Sequence, residues 1–328
     1  MHLSLHALPA LLVLSAPALA QGAADKFDAD ETPAFRGTVH SQFAGWDVFT
    51  VPFAAPNFPD DTSSDLNASI TQLTPGAIIT STQNIYHPSS APFYEIDVFP
   101  GAEVRQVVFQ ARTLGNLVDT SSMLLNYPGG TIAPTEIRDL TVPAFSYETY
   151  YAWDLTAAGV SVTDFTLTLN AAAGNVSLDA ALLDVRTDGV IGTNYCSTNA
   201  NSTGQPGSIE ARGSDVFEIN DVTLVADDLP FFSAGYFLAS TTQDFVANPA
   251  GSQGNLCLGG DVGRYNTSVF NTGTTGAGSL TIDLTSIPQP NGPITGAVGE
   301  TWNFQCWYRD TNPSVTSNFT NGVSVTLN

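Results

Sequence analysis

Acid–base and nucleophilic chemistry need specific partners, and this chain offers few. Beyond its first twenty residues it has two histidines, His40 and His87. A serine hydrolase needs a nucleophile, a base and an orienting acid. No G-x-S-x-G turn supplies the serine; Ala250-Gly251-Ser252-Gln253-Gly254 misses its first glycine. His87 precedes Pro88 and suits an extended loop. Both histidines read as structural or solvent-facing.

Glycoside hydrolysis needs two carboxylates at a defined separation. The chain has 31 acidic residues, so paper pairs abound and none stands out. Glu148, among Tyr147, Tyr150, Tyr151 and Trp153, is the most enzyme-like neighbourhood. A strand end feeding an aromatic core explains it as well. Clustered acids occur at Asp25, Asp28, Asp30 and Glu31, and at Asp60, Asp61 and Asp65. Neither cluster has EF-hand spacing, so they read as solvated loops, although such loops leave room for calcium. The stretch Gly254 to Arg264 (GNLCLGGDVGR) lacks the G-x-x-x-x-G-K-[ST] of a phosphate loop. It reads as a turn-rich loop, with Arg264 in a structural ion pair or on backbone oxygens. Sequons at Asn67, Asn175, Asn201, Asn266 and Asn318 matter only in a glycosylating host.

Composition sets the frame that must position any site. Formal net charge is −22, with only nine Lys and Arg. A surface so negative repels phosphate backbones and anionic lipid, which excludes nucleic acid as a partner. Residues 1–20 read as an export signal: Leu8 to Leu14 are mostly apolar, and Ala18-Leu19-Ala20 has the small-x-small pattern that a signal peptidase reads. No later segment has the run of ~18 apolar residues that spans a bilayer. The expected location is therefore secreted, extracellular or at the cell surface, without membrane insertion.

Gly, Pro, Ser, Thr, Asn and Asp are plentiful and long helix-forming runs are absent. That is the composition of short strands joined by turns. Residues 21–34 read as a flexible acidic leader. Residues 35–188 and 190–328 read as two β-sandwich domains, jelly-roll or Ig-like, with little helix. The boundary falls at Thr187-Asp188-Gly189. In the strand Thr301 to Asp310, alternation puts Trp302, Phe304, Cys306 and Tyr308 on a core face. Asn303, Gln305, Trp307 and Arg309 fall on the other face, toward solvent or a ligand. Three cysteines, Cys196, Cys257 and Cys306, allow three single disulfides, and spacing does not choose among them.

The second half resembles a known module. Its stretches Asn194-Tyr195-Cys196, Asn201 to Gly204, Gly213-Ser214, Gly235-Tyr236-Phe237, Gly254 to Tyr265, Thr301 to Asp310 and Thr316 to Thr320 are similar to a module that recurs at the C-terminus of uncharacterised secreted proteins of large-genome environmental bacteria. The resemblance implies export, a β fold and a Cys196–Cys257 disulfide, with Cys306 left as a free thiol. It implies no reaction. The first half resembles, through Thr163–Leu169 and Val176–Val185, the jelly-roll domains of secreted bacterial carbohydrate-binding proteins.

The expected role is that of a non-catalytic extracellular protein in structure, surface association or binding, with a glycan or cell-surface partner. A second expectation is carbohydrate binding on Trp46, Trp153 or Trp307, with Arg309 beside the last. A third is a carboxylate-dependent glycosidase or lyase using Glu148.

Overall fold

The computed structural model describes residues 22–141 and 145–328. The export signal expected over residues 1–20 lies outside them. The fold is all-β, and the only helical turns among the described residues are four short 3-10 segments. No helix among them is long and apolar enough to cross a membrane.

Two sandwiches follow one another, and every strand pair is antiparallel. In the first, a seven-stranded sheet is centred on Val176–Thr187. That strand pairs with Val104–Leu114 on one side, and with Ser41–Trp46 and Ile85–His87 on the other. Ser146–Asp154 and Glu136–Thr141 extend the sheet. The facing five-stranded sheet includes Ala68–Gln72, Phe93–Val98, Phe165–Ala171 and Val118–Tyr127. Phe165, Leu167 and Leu169 point into the core, with the threonines between them turned outward. This is the period-2 pattern of a half-buried strand.

Val176–Thr187 departs from that pattern, because every residue in it is buried. The cause is the segment ahead of the first strand. A flexible leader was the expectation for residues 21–34; the described part, from Gly22 on, instead straps across the outer face of the large sheet. Ala23 and Phe27 pack on Phe43, Ala180 and Leu182. Lys26 pairs with Asp47 and Asp179, and Glu31 with Arg138. Arg36 grips the buried Asp184 through two bonds, of 2.5 and 2.6 Å. Lys26, Glu31 and Arg36 of the strap are turned to charges planted on the sheet, while Asp25, Asp28 and Asp30 face water.

The second sandwich sets a four-stranded sheet (Val190–Ile191, Ser208–Gly213, Val222–Asp227, Gly278–Ile282) against a six-stranded one. The six-stranded sheet is built on Ala234–Ser240, Thr301–Thr311 and Val315–Thr326. Trp302, Phe304, Cys306 and Tyr308 lie in the core between the sheets. Cys306 is buried and unpaired, and burial pushes its thiol pKa up. Polar bonds cross the junction between the sandwiches: Arg186 to Asp221 at 2.8 Å, and His40 Nε2 to the Val190 carbonyl at 2.9 Å.

Candidate functional site

The outer face of the six-stranded sheet carries the site. A hairpin of Thr242–Ala247 and Asn255–Gly259 folds over one end of that face. The second of these strands runs through the stretch whose glycines and turns suggested a loop. Cys257 on it is joined to Cys196, the pairing that the resemblance implies.

Polar side chains under the hairpin fix its position. Gln305, fully buried, donates to the carbonyls of Asn255 (2.8 Å) and Thr320 (2.7 Å) and accepts from the Cys257 N–H (2.9 Å). Ser240 donates to the Gly259 carbonyl, and Gln243 to Asn303 Oδ1. Two of the three Gln305 bonds, to Asn255 and Cys257, hold the hairpin in one register, since breaking either strands a polar group away from water. Asn303 and Gln305 thus share the Trp307 face as expected, but they lie beneath the hairpin.

Past the hairpin the same face opens into a depression of ≈ 400 Å³. Tyr236, Trp307, Phe319 and Leu256 line it, with Pro249 and Ala250 at the hairpin end and Arg264 at the far edge. Tyr236 and Trp307 are cross-strand neighbours with ring centroids 4.9 Å apart. The Arg309 guanidinium lies over the Trp307 ring at 5.2 Å. A second depression of ≈ 520 Å³ abuts the first and shares Val262 and Arg264 with it. The two form a groove with Arg264 between them.

Phe319 reaches this face through a β-bulge. Gln305 pairs with Gly322, yet Trp307 pairs with Phe319, so the strand Val315–Thr326 holds one extra residue there. Val323 and Val325 point into the core. In an unbroken ladder of the same sequence Phe319, also odd-numbered, would point there too.

The charges are as selective as the aromatics. Seven of the nine Lys and Arg residues hold a carboxylate within ion-pair distance: Lys26, Arg36, Arg105, Arg112, Arg138, Arg186 and Arg212. Arg264 and Arg309 are the two that do not, among the described residues, and both are exposed at this groove. Arg264 was expected in a structural ion pair or on backbone oxygens; among the described residues it has no ion pair.

The other expected residues lie elsewhere. Trp46 and Trp153 are 0% and 1% exposed, so neither offers a stacking face. Both fill the core between the first two sheets, with indole N–H groups on the carbonyls of Asn57 (3.0 Å) and Ile132 (3.3 Å). Glu148 is buried on the strap side of the sheet, with Arg112 at 3.7 Å. Burial pushes its pKa up, Arg112 pulling the other way, but it lines none of the depressions described here. His87 is buried, accepting the Ser90 N–H at Nδ1 and lying 3.0 Å from the Pro75 carbonyl at Nε2. Asp60 and Asp65 accept backbone N–H groups of Asp47 and Phe43. Among the described residues no three His, Cys, Asp or Glu side chains are grouped to hold a metal ion.

No protein-family model and no curated protein matches the chain. Solved structures resemble it distantly. A β-1,2-glucanase from Parabacteroides distasonis is 10% identical with a TM-score of 0.22, over 88% of this chain and 37% of its own. A Bacteroides uniformis β-glucuronidase is 11% identical with a TM-score of 0.18, over 86% of this chain and 32% of its own. The pilus backbone protein of Streptococcus pneumoniae is 8% identical with a TM-score of 0.21, over 88% of this chain and 98% of its own. This chain spans 37% and 32% of the two enzymes' lengths, and superpositions this loose carry no argument about its site.

Proposed function

We propose that this is an extracellular, non-catalytic glycan-binding protein that associates with surfaces through the groove on its second sandwich. The observation that carries the reading is the half-buried Tyr236–Trp307 pair, held on a sheet face and left open beside a fixed hairpin. The C–H faces of sugar rings dock on aromatic surfaces, and a rigid platform keeps the ordering cost of binding low. Strands, not loops, position the rings, so the platform is preformed. Residues 190–328 are taken as the recurrent secreted module. Tyr236, Arg264, Trp307, Arg309 and Phe319 all fall within stretches that carry that resemblance.

A glycan-array screen of the mature chain, followed by titration of the best ligand, tests the reading. Trp307→Ala is expected to weaken binding by about tenfold or more, as loss of a central aromatic anchor does. Trp153→Phe, in the first core, should leave affinity unchanged. A screen without any selective glycan would reject the proposal.

A further inference from the structure

We infer that the groove takes an acidic glycan, a chain whose sugar rings bear carboxylates, with Arg264 and Arg309 each reading a different ring. This rests on the glycan-binding reading above and adds the class of ligand.

The first argument is charge. The chain is strongly acidic, and neutralising its cations internally is easy; seven of nine are so paired. The two left without a carboxylate flank one groove. An exposed, unpaired guanidinium beside an aromatic ring is a ready partner for an anion. Its planar fork matches a carboxylate with two parallel N–H···O bonds, which an ammonium cannot do. The net charge of −22 repels a polyanion here as it does nucleic acid, so the attraction must come at short range, within the roughly 8 Å over which charges act unscreened at physiological salt.

The second argument is position. Arg264 lies opposite Leu238, while Arg309 is one residue beyond Tyr308, which lies opposite Gly235. The two cations are therefore four residues apart along the strands and two strands apart across them. Strand geometry turns that into Cα atoms about 16 Å apart. Tyr236 lies between them, Trp307 stands beside it on the strand of Arg309, and Phe319 lies one strand further out. Two carboxylated rings of one chain, one beside each arginine, fit this spacing, with Tyr236 beneath the chain between them.

The third argument separates a sugar chain from a peptide added as a strand. The aromatic rings sit on the face of the sheet, over central strands whose backbone groups are already paired on both sides. A peptide that binds by strand addition needs a sheet edge, where main-chain donors and acceptors are free. Here only side chains are on offer, aromatic faces and guanidinium forks. A carboxylated sugar needs those and nothing more.

The test is calorimetric titration of the full mature chain with a ladder of galacturonate oligomers from the monomer upward. The same oligomers with methyl-esterified carboxyls, a sulfated glycan and poly-glutamate serve as comparison arms. The acid oligomers are expected to bind about tenfold tighter than their esters, with affinity rising with length until both arginines are spanned. Arg264→Ala and Arg309→Ala, neither of which breaks an ion pair, should each remove about tenfold of acid-oligomer affinity and narrow the gap between acid and ester binding; an undiminished gap in both variants would overturn the inference. Equal binding of acid and ester would overturn the inference while leaving glycan binding standing. Tighter binding of the sulfated chain would overturn the carboxylate assignment, and tighter binding of poly-glutamate the glycan itself. If no arm binds, the acidic-glycan inference falls, and the glycan array alone decides the reading beneath it.

Discussion

Asp184 carries an unusual burden for a single residue. It is buried in the middle of the large sheet, and Arg36 on the strap is its charge partner. Burial pushes its pKa above the usual carboxylate range, against the pull of Arg36. Arg36→Ala would leave a buried carboxylate alone, at a cost of about 3 kcal/mol near neutral pH. Below about pH 5 the cost should shrink, because an unpartnered buried carboxyl takes up a proton readily. Urea unfolding of wild type and variant at both pH values checks this. An equal gap at the two would show that Asp184 is not the charge left behind. This pair was not legible in the sequence: 148 residues separate its members, and a polar leader looks the same whether it meets water or planted charges. Trp46 and Trp153 were misjudged for a related reason. Aromatic content says that a ring is valuable, not which side of the sheet it occupies, and the core between the first two sheets took both.

Among the elements, the strand Thr301–Thr311 was readable on its core face, but not on the other, where the hairpin covers Asn303 and Gln305 that were expected toward solvent or a ligand. Period-2 alternation placed Trp302, Phe304, Cys306 and Tyr308 in the core. Phe319 was hidden because a bulge changes the parity of its strand midway; Gly322, a glycine inside a strand, was the available sign. Tyr236 was hidden in a short run whose neighbours are apolar on both faces. The hairpin carries the prediction at this scale. Its disulfide closes a span of 61 residues, worth about 4 kcal/mol in the chain-entropy account. The Cys196→Ser/Cys257→Ser variant should lose up to that much stability in a denaturant titration. It should also bind glycan more weakly, since the hairpin supplies Pro249, Ala250 and Leu256 to the groove. Unchanged affinity in a destabilised variant would mean that the hairpin does not shape the site.

For the molecule as a whole, acidity should stabilise before it destroys. Burial raises the carboxyls of Asp184, Glu148 and Asp227, the last helped by Glu210 and Asp228 nearby. A carboxyl with a higher pKa folded than unfolded takes its proton first in the folded state. Stability therefore rises as the pH falls through that folded value. Protonation also relieves the repulsion of a net −22. Asp283 and Asp61 act in reverse. Asp283 is held low by hydrogen bonds from Thr285, and Asp61 ends low because bonds from Ser63 outweigh its burial. Their contribution is lost as the pH falls through their lowered values. Tm should accordingly rise from pH 7 to about pH 5 and fall below about pH 4. A Tm that falls steadily from pH 7 downward would contradict this balance.

The extra residue in Val315–Thr326 has a consequence in the language of genes. Loss of one codon near Asn321 would leave the reading frame, the core valines and the disulfide intact. It would also let the ladder run unbroken, with Phe319 still opposite Trp307 and still on the groove face, because a step of three residues in place of four would then separate it from the core-facing Val323. A lineage could therefore lose or gain the bulge by a single in-frame step and keep this surface throughout.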